Sequence, residues 1–123
     1  MHVERKGKPV KFHANRVSAS ADGDYCQVMF EAIADANDPG SPYVLVQRQF
    51  EDPDGGRRYV ETRDEKYIGH FRVRRIEFSP SRFLLEIDRK KDNVVEVTFR
   101  IKAAEFKRVA RVVYIISGSI EAP

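Results

Sequence analysis

The sequence predicts an α+β fold: a curved, mainly antiparallel sheet of about seven to eight strands, with a C-terminal amphipathic helix packed on one face. Short segments of alternating apolar and polar residues recur between turn residues along most of the chain. This alternation leaves one face of each strand polar, which is typical of antiparallel sheets. After residue 102 the apolar spacing changes to that of a helix, and this change predicts the final element.

Length and composition predict a single soluble domain. The chain has 123 residues, of which 41% are hydrophobic and 33% are charged, a balance found in ordinary globular proteins. We expect a flexible basic arm over residues 1–9, one domain over 10–118 and a tail over 119–123. The sequence shows no run of apolar residues long enough for a membrane span and no signal-peptide pattern. We therefore expect no membrane partner and a cytoplasmic location.

The strand pattern is separated by loops rich in Asp, Gly and Pro. Asp22-Gly23-Asp24 is a turn between the first two extended segments, so they predict a hairpin. Further loops are predicted over residues 35–42 and 52–56. The extended segments themselves cover residues 10–17, 25–33, 43–50, 58–63, 66–70, 71–78, 82–88 and 95–102.

One strand has the clearest alternation, and another has a break in it. Every second residue over 95–101 is apolar, and the residues between them are polar, which predicts a strand with one solvated face. Over 71–78 the apolar phase slips between Val73 and Ile76. This slip predicts a β-bulge near Arg74 and Arg75.

The predicted helix begins near Ala103 and ends at Gly118. No Ser, Thr, Asp or Asn stands just before Ala103, so the sequence offers no N-cap side chain. Lys107, Arg108 and Arg111 occupy the polar side. The residues at helical spacing that predict the buried face are Phe106, Val109, Ala110, Val113 and Ile116.

The reactive residue types do not predict an active site. His2, His13 and His70 lack the spacing of zinc ligands, so we expect neither a metal nor a cofactor. The single cysteine, Cys26, alternates with apolar residues of its segment, which favours a buried hydrophobic role over that of a nucleophile. We therefore expect a protein that is not an enzyme.

Charge is unevenly distributed along the chain. There are 22 basic and 19 acidic residues, for a net charge of +3, and acidic residues dominate 17–56 whereas basic residues dominate 57–111. Either segment could contact a charged partner, and the sequence does not decide between them. Within the basic segment, His70, Arg72 and Arg74 would project from one strand face. This strip leaves open an alternative function as a small nucleic-acid-binding module, although any exposed strand face shows a similar pattern.

Several segments in a fixed order resemble the immunity protein 10 family of bacterial polymorphic toxin systems. The similarity covers about residues 12–116, nearly the whole predicted domain. The residues that carry it are Phe12-His13-Ala14-Asn15-Arg16-Val17-Ser18, Tyr43-Val44-Leu45-Val46-Gln47-Arg48, Tyr59-Val60-Glu61, Lys66-Tyr67-Ile68-Gly69, Arg75-Ile76-Glu77-Phe78-Ser79, and the strand over 95–99 with its following helix.

The resemblance implies a non-catalytic antidote that binds a cognate toxin domain and blocks it by occlusion. Such a function requires a well-packed interface rather than reactive groups. An architectural role is also open: Arg48 could pair with Glu61 across strands, Gly69 could permit a bulge, and the tyrosines could fill a half-buried face. With the basic strip, the candidate partner-binding residues are Gln47, Arg48, Tyr59, Glu61, Tyr67, His70, Arg72 and Arg74.

Overall fold

The computed structural model describes residues 9–33, 40–50 and 56–118. It contains one sheet of eight strands in the order β1-β8-β7-β6-β5-β4-β3-β2, followed in the chain by one helix. Strands β1 and β8 are parallel, and the other six neighbouring pairs are antiparallel. The predicted fold class is therefore confirmed, with a parallel pair at one edge. In the described residues no helix is long and apolar enough to cross a membrane.

The elements follow the predicted segments closely. A short 3₁₀ helix over Glu65–Tyr67 lies between β5 and β6. The strands are β1 (Val10–His13), β2 (Arg16–Ala21), β3 (Tyr25–Glu31), β4 (Tyr43–Gln49), β5 (Arg57–Thr62), β6 (Gly69–Ser79), β7 (Arg82–Ile87) and β8 (Val94–Thr98), and the helix is α1 (Ala103–Ser117).

Strand β6 divides the sheet into two halves. Its first part pairs with β5 through Arg72, and its second part pairs with β7 from Val73 onward. The register shifts between Val73 and Arg75, which confirms the predicted bulge. Because a bulge bends its strand and increases the local twist, the sheet curves here. The half formed by β2–β5 and the half formed by β7, β8 and β1 meet along this strand.

The first predicted strand, over 10–17, is broken into β1 and β2. At the break, the Ala14 amide donates to the Thr98 carbonyl at 2.8 Å and the Asn15 amide donates to the Glu31 carbonyl at 2.9 Å. Two successive residues therefore bond to β8 and β3, which lie far apart in the strand order. The curvature of the sheet brings its two edges together at this corner.

The apolar residues of the strands and of α1 form one core on the inner face of the sheet. Every second residue from Phe83 to Ile87 is buried, as the two-residue period predicts. On the helix, Val109, Val113 and Ile116 are buried, whereas Lys107 and Arg111 are exposed. The predicted inner side of the helix is confirmed. Lys102, the residue before the helix, makes no side-chain capping bond, also as predicted.

Two arginines from the sheet hold the C-terminal end of α1. Arg58 is only 2% exposed; its Nε donates to the Ile116 carbonyl at 2.6 Å, and it also donates to the Gly118 carbonyl. Arg48 donates to the Ile115 carbonyl at 2.7 Å. The last carbonyls of a helix lack partners and carry the negative end of its dipole. The last turn of α1 has no basic residue of its own, so the guanidinium groups supply both the donors and the positive charge.

One predicted strand is wrong. Residues 66–68 of the predicted segment 66–70 do not form a strand, because Asp64 caps the 3₁₀ turn by accepting from the Lys66 amide at 3.0 Å. The chain is extended again only from Gly69, where β6 begins. Several predictions lie wholly or mainly outside the described residues, namely the arm over 1–9, the loops over 35–42 and 52–56, and the tail over 119–123.

Candidate functional site

The outer face of β3–β6, opposite the helix, gathers a set of tyrosine, glutamine and apolar side chains. The strand register places Gln27, Gln47, Tyr59 and His70 in one row across four strands. The next row contains Met29, Leu45 and Glu61. We call this surface the outer tyrosine face and define it by Gln27, Met29, Tyr43, Leu45, Gln47, Tyr59, Glu61 and His70.

Glu61 is the centre of the outer tyrosine face. The Tyr43 hydroxyl donates to its Oε2 at 2.5 Å, and the Tyr59 hydroxyl donates to its Oε1 at 2.7 Å. These two hydrogen bonds, with Tyr43 first, lower the pKa of the Glu61 carboxyl below its ordinary value. The three side chains are half-buried, so each holds the others in one orientation.

The same contacts keep both phenols protonated. Partial burial, followed by the hydrogen bond to Glu61, raises the pKa of Tyr43 to about 12. The hydrogen bond to Glu61 is also the main reason why the pKa of Tyr59 is raised. The cluster therefore carries the single negative charge of the carboxylate over the whole neutral range.

Glutamine side chains order the neighbouring row. Gln47 Nε2 donates to Gln27 Oε1 at 3.1 Å, and Gln49 Nε2 donates to Gln47 Oε1 at 2.8 Å. Tyr59 packs against His70, with ring centroids 5.2 Å apart. These side chains already contact one another, so they have little rotamer freedom. They therefore lose little conformational entropy when another molecule covers the surface.

Four of the candidate residues come together on this face: Gln47, Tyr59, Glu61 and His70. Arg48 does not join them. It lies on the inner side, where its guanidinium donates to the Ile115 carbonyl at the end of α1. The same guanidinium is 4.9 Å from the centre of the Phe50 ring. The alternative pairing of Arg48 with Glu61 is also wrong, because Leu45 is the residue opposite Glu61.

Tyr67 is the second candidate that the structure moves away from the surface. Its side chain is 0% exposed within the 3₁₀ turn, and this burial raises the pKa of its phenol. The Arg89 guanidinium lies 5.3 Å from the centre of its ring and 4.8 Å from that of Phe71. Tyr67 is therefore part of the core and does not offer a binding surface. Gly69 follows with a φ of 146°, in the region that favours glycine.

The predicted basic strip is divided between two environments. His70, Arg72 and Arg74 are all exposed on β6, and Arg72 lies directly opposite Arg57. Arg74, however, bonds to Glu86 at 2.7 Å and to Asp88 at 2.9 Å. Its charge is thus already neutralised by two carboxylates.

Arg74 is the second member of a continuous series of ion pairs across the other half of the outer surface. We call this series the ion-pair ladder. Its N···O distances range from 2.7 to 3.9 Å. In order across β6, β7, β8 and β1, its members are Asp88, Arg74, Glu86, Arg75, Glu77, Arg82, Glu96 and Lys11. Opposite charges alternate along the ladder, so every charged side chain in it is paired with another member.

The cysteine lies in the core, and the metal-binding residue types form no metal-binding group in the part of the chain that the structure describes. Cys26 is 3% exposed, and burial raises the pKa of its thiol. This agrees with the hydrophobic role that its alternation predicts. In the three described segments, no group of three or more His, Cys, Asp or Glu side chains is placed to hold a metal ion.

Sequence reasoning missed four members of the outer tyrosine face. In β4, Tyr43 and Leu45 lie four and two residues from Gln47, so they are on the same face of the strand. In β3, Gln27 and Met29 are two residues apart and also share a face. This two-residue period was the signal that could have found them. The pairing of β3 with β4 also had to be known, because Gln27 and Gln47 become neighbours only through that register.

No protein-family model matches the chain, and no curated protein matches it significantly. The similarity to the immunity protein 10 family therefore rests on the residues that suggested it.

Proposed function

We propose that this protein is a non-catalytic immunity protein of a bacterial polymorphic toxin system. It acts in the cytoplasm of the producing cell, where the outer tyrosine face binds a cognate toxin domain and occludes it. The observation that carries the proposal is the position of Gln47, Tyr59 and Glu61. These three residues belong to segments that resemble the family, and they lie side by side on one ordered surface.

The composition of this surface supports protein binding. Tyrosine supplies a large contact area with few rotatable bonds and is enriched at the residues that dominate binding energy. Leu45 and Met29 add half-buried apolar area beside the hydrogen-bonding groups. An apolar centre with fixed polar groups around it is the arrangement of specific protein interfaces.

The test is a growth assay with the toxin domain encoded beside the gene for this chain. Expression of that domain alone should stop growth, and co-expression of this chain should restore it. Tyr59→Ala removes a large aromatic contact beside Glu61, so we expect it to weaken complex formation by about tenfold or more. Growth protection should be reduced accordingly.

Tyr114→Ala is the matched control. Tyr114 is 81% exposed on α1, which packs on the opposite side of the sheet. The same substitution there should leave both protection and affinity unchanged. Protection that survives Tyr59→Ala but is lost with Tyr114→Ala would assign the contact to the helix, and a chain that never restores growth would refute the proposed function.

A nucleic-acid-binding module is the second candidate, and one observation favours it. Arg57 and Arg72 face each other across β5 and β6, with His70 beside them. We expect Arg72→Glu to distinguish the two functions. Loss of growth protection without any affinity for single-stranded oligonucleotides supports the immunity protein, whereas oligonucleotide binding that falls steeply with salt supports the alternative.

A further inference from the structure

The Tyr43–Glu61–Tyr59 cluster presents hydrogen-bond acceptors to the solvent. Both phenol protons are directed to the carboxylate. What the three side chains can offer to another molecule is therefore oxygen lone pairs, on two carboxylate oxygens and two phenol oxygens. A cluster that only accepts is complementary to a group that only donates.

Glu61 is also unusual among the glutamates of the sheet. The described strands contain four others, and each has an arginine within ion-pair distance: Glu31, Glu77, Glu86 and Glu96. Glu61 has no such pair within the described residues and is stabilised by neutral phenols instead. The sheet thus neutralises its other carboxylates and leaves one negative charge on the outer tyrosine face.

Arg63, whose charge acts on Glu61, is directed elsewhere. Arg63 donates from its Nε to the Ser41 carbonyl at 3.1 Å, and its guanidinium lies 4.9 Å from the centre of the Tyr43 ring. Its charge contributes to the lowered pKa of Glu61, but less than the two phenols do. Arg63 therefore does not occupy the carboxylate oxygens of Glu61, and a cation from another molecule can bind there.

Apolar side chains lie beside the carboxylate. Leu45 is directly opposite Glu61 in the register, and Met29 is opposite Leu45. Both are half-buried. Lysine and arginine bury their methylene stems on apolar surface while the charged head contacts polar groups. The row Met29–Leu45–Glu61 provides both kinds of contact side by side across three strands.

We infer that the protein partner places a basic side chain on this row, with its cationic head at Glu61 between the two phenol oxygens and its stem on Leu45 and Met29. The inference rests on the proposed function for the identification of the partner as a protein. It adds the chemistry of the central contact: a charge-assisted bond to a carboxylate that is already fixed in position. It also assigns the negative end of the interface to Glu61.

The test uses blocked tripeptides and does not need the toxin. The isotope-labelled chain is titrated with acetyl-Gly-Arg-Gly-amide, and backbone amide shifts at Leu45 and Glu61 are followed by NMR. The matched peptide carries citrulline, which keeps the shape of arginine without its charge. We expect the arginine peptide to bind with a Kd on the order of millimolar, and the citrulline peptide to bind about tenfold more weakly or not at all.

Two variants locate the binding site. Glu61→Gln should abolish the shifts caused by the arginine peptide, whereas Glu77→Gln, in the ion-pair ladder, should leave them unchanged. Equal binding of the two peptides would overturn the inference, as would shifts that persist in Glu61→Gln. If Glu61→Gln does not fold, the comparison of arginine with citrulline on the unaltered chain decides.

Failure of this inference is distinguishable from failure of the proposed function. Arginine-specific shifts at Glu61 without growth protection would support the basic contact and refute the toxin antidote. Growth protection that needs Tyr59 but is insensitive to Glu61→Gln, with no arginine-specific shifts, would refute the basic contact and leave the antidote in place.

Discussion

Two outward-facing leucines show how differently the two halves of the outer surface are covered. Leu84 lies between Glu77 and Glu96 in the register, and Arg82 forms ion pairs with both. These side chains leave Leu84 only 6% exposed. Leu45 lies between Met29 and Glu61 in the other half and has no such cover, so it remains half-buried.

The comparison shows that a high density of surface charge does not by itself mark a binding site. The ion-pair ladder holds more charges than the outer tyrosine face, but each is neutralised by a neighbour within the same sheet. The outer tyrosine face has few charges, and the one at Glu61 is not paired with a cation in the described residues. The half with fewer charges is therefore the one with more to offer a partner.

The largest expected effect comes from removing the arginine beneath the outer tyrosine face. Arg58 precedes Tyr59 in β5 and anchors the helix on the inner side. Arg58→Met removes the guanidinium and leaves the Ile116 and Gly118 carbonyls at the end of α1 without this donor, so we expect the free energy of unfolding to fall by about 3 kcal/mol. Arg57→Met, at an exposed position of the same strand, should lower it by less than about 1 kcal/mol. Urea unfolding followed by circular dichroism measures both, and equal losses would contradict the anchoring role.

The second effect depends on pH. The folded state lowers the pKa of Glu61, so its contribution to stability is present above the ordinary glutamate pKa and is lost as the pH falls through the lowered value. Glu61→Gln should cost about 1–2 kcal/mol at pH 7, and the difference from the unaltered chain should shrink below about pH 4. Urea unfolding of both proteins across this range tests it. A constant difference would show that the charge of Glu61 is not what the phenols stabilise.

The third effect appears at alkaline pH. Because the pKa of Tyr43 is raised to about 12, its contribution to stability is complete below the ordinary tyrosine pKa and is lost as the pH rises through that higher value. Tyr43→Phe removes the hydroxyl, and we expect it to cost about 1 kcal/mol at pH 7. In an absorbance titration, the variant should lack the phenolate signal that appears near pH 12 in the unaltered chain. Loss of a signal at a lower pH instead would contradict the hydrogen bond to Glu61.

The smallest effect belongs to the ion-pair ladder. Arg82 and its partners are partly exposed, and pairs of this kind contribute little because solvent screens them. Arg82→Met should lower the free energy of unfolding by less than any of the three substitutions above, and added salt should reduce the loss further. The variant should keep full growth protection. Loss of protection would mean that the partner contacts this half of the surface as well.

Much of the fold could be predicted because the secondary structure follows from the periodic spacing of apolar residues over short stretches of the chain. The alternation over 95–101 and the phase slip at Arg74 and Arg75 each report local backbone geometry. The parallel pairing of β1 with β8 could not be predicted in this way. It joins residues more than eighty positions apart, and no local pattern specifies such a partner.

The candidate site was predicted less well, for a related reason. Arg48 follows Val44 and Val46 at every second residue, so its parity indicated the inner face, but a charged residue is expected to face solvent. Only the position of the helix end shows why a guanidinium is stable there. Tyr67 was misplaced because its strand-like residue types outweighed the Asp64 that starts a turn.

The pairing of β1 also bears on how the chain folds during synthesis. Val10–His13 pairs with β8 (Val94–Thr98), and β2–β7 lie between these two strands in the chain. During synthesis β1 therefore cannot dock until β2–β8 have been made, and closure of so long a loop is slow. We expect the sheet from β2 to β7 to assemble first and the opening strand to join it as one of the final steps of maturation.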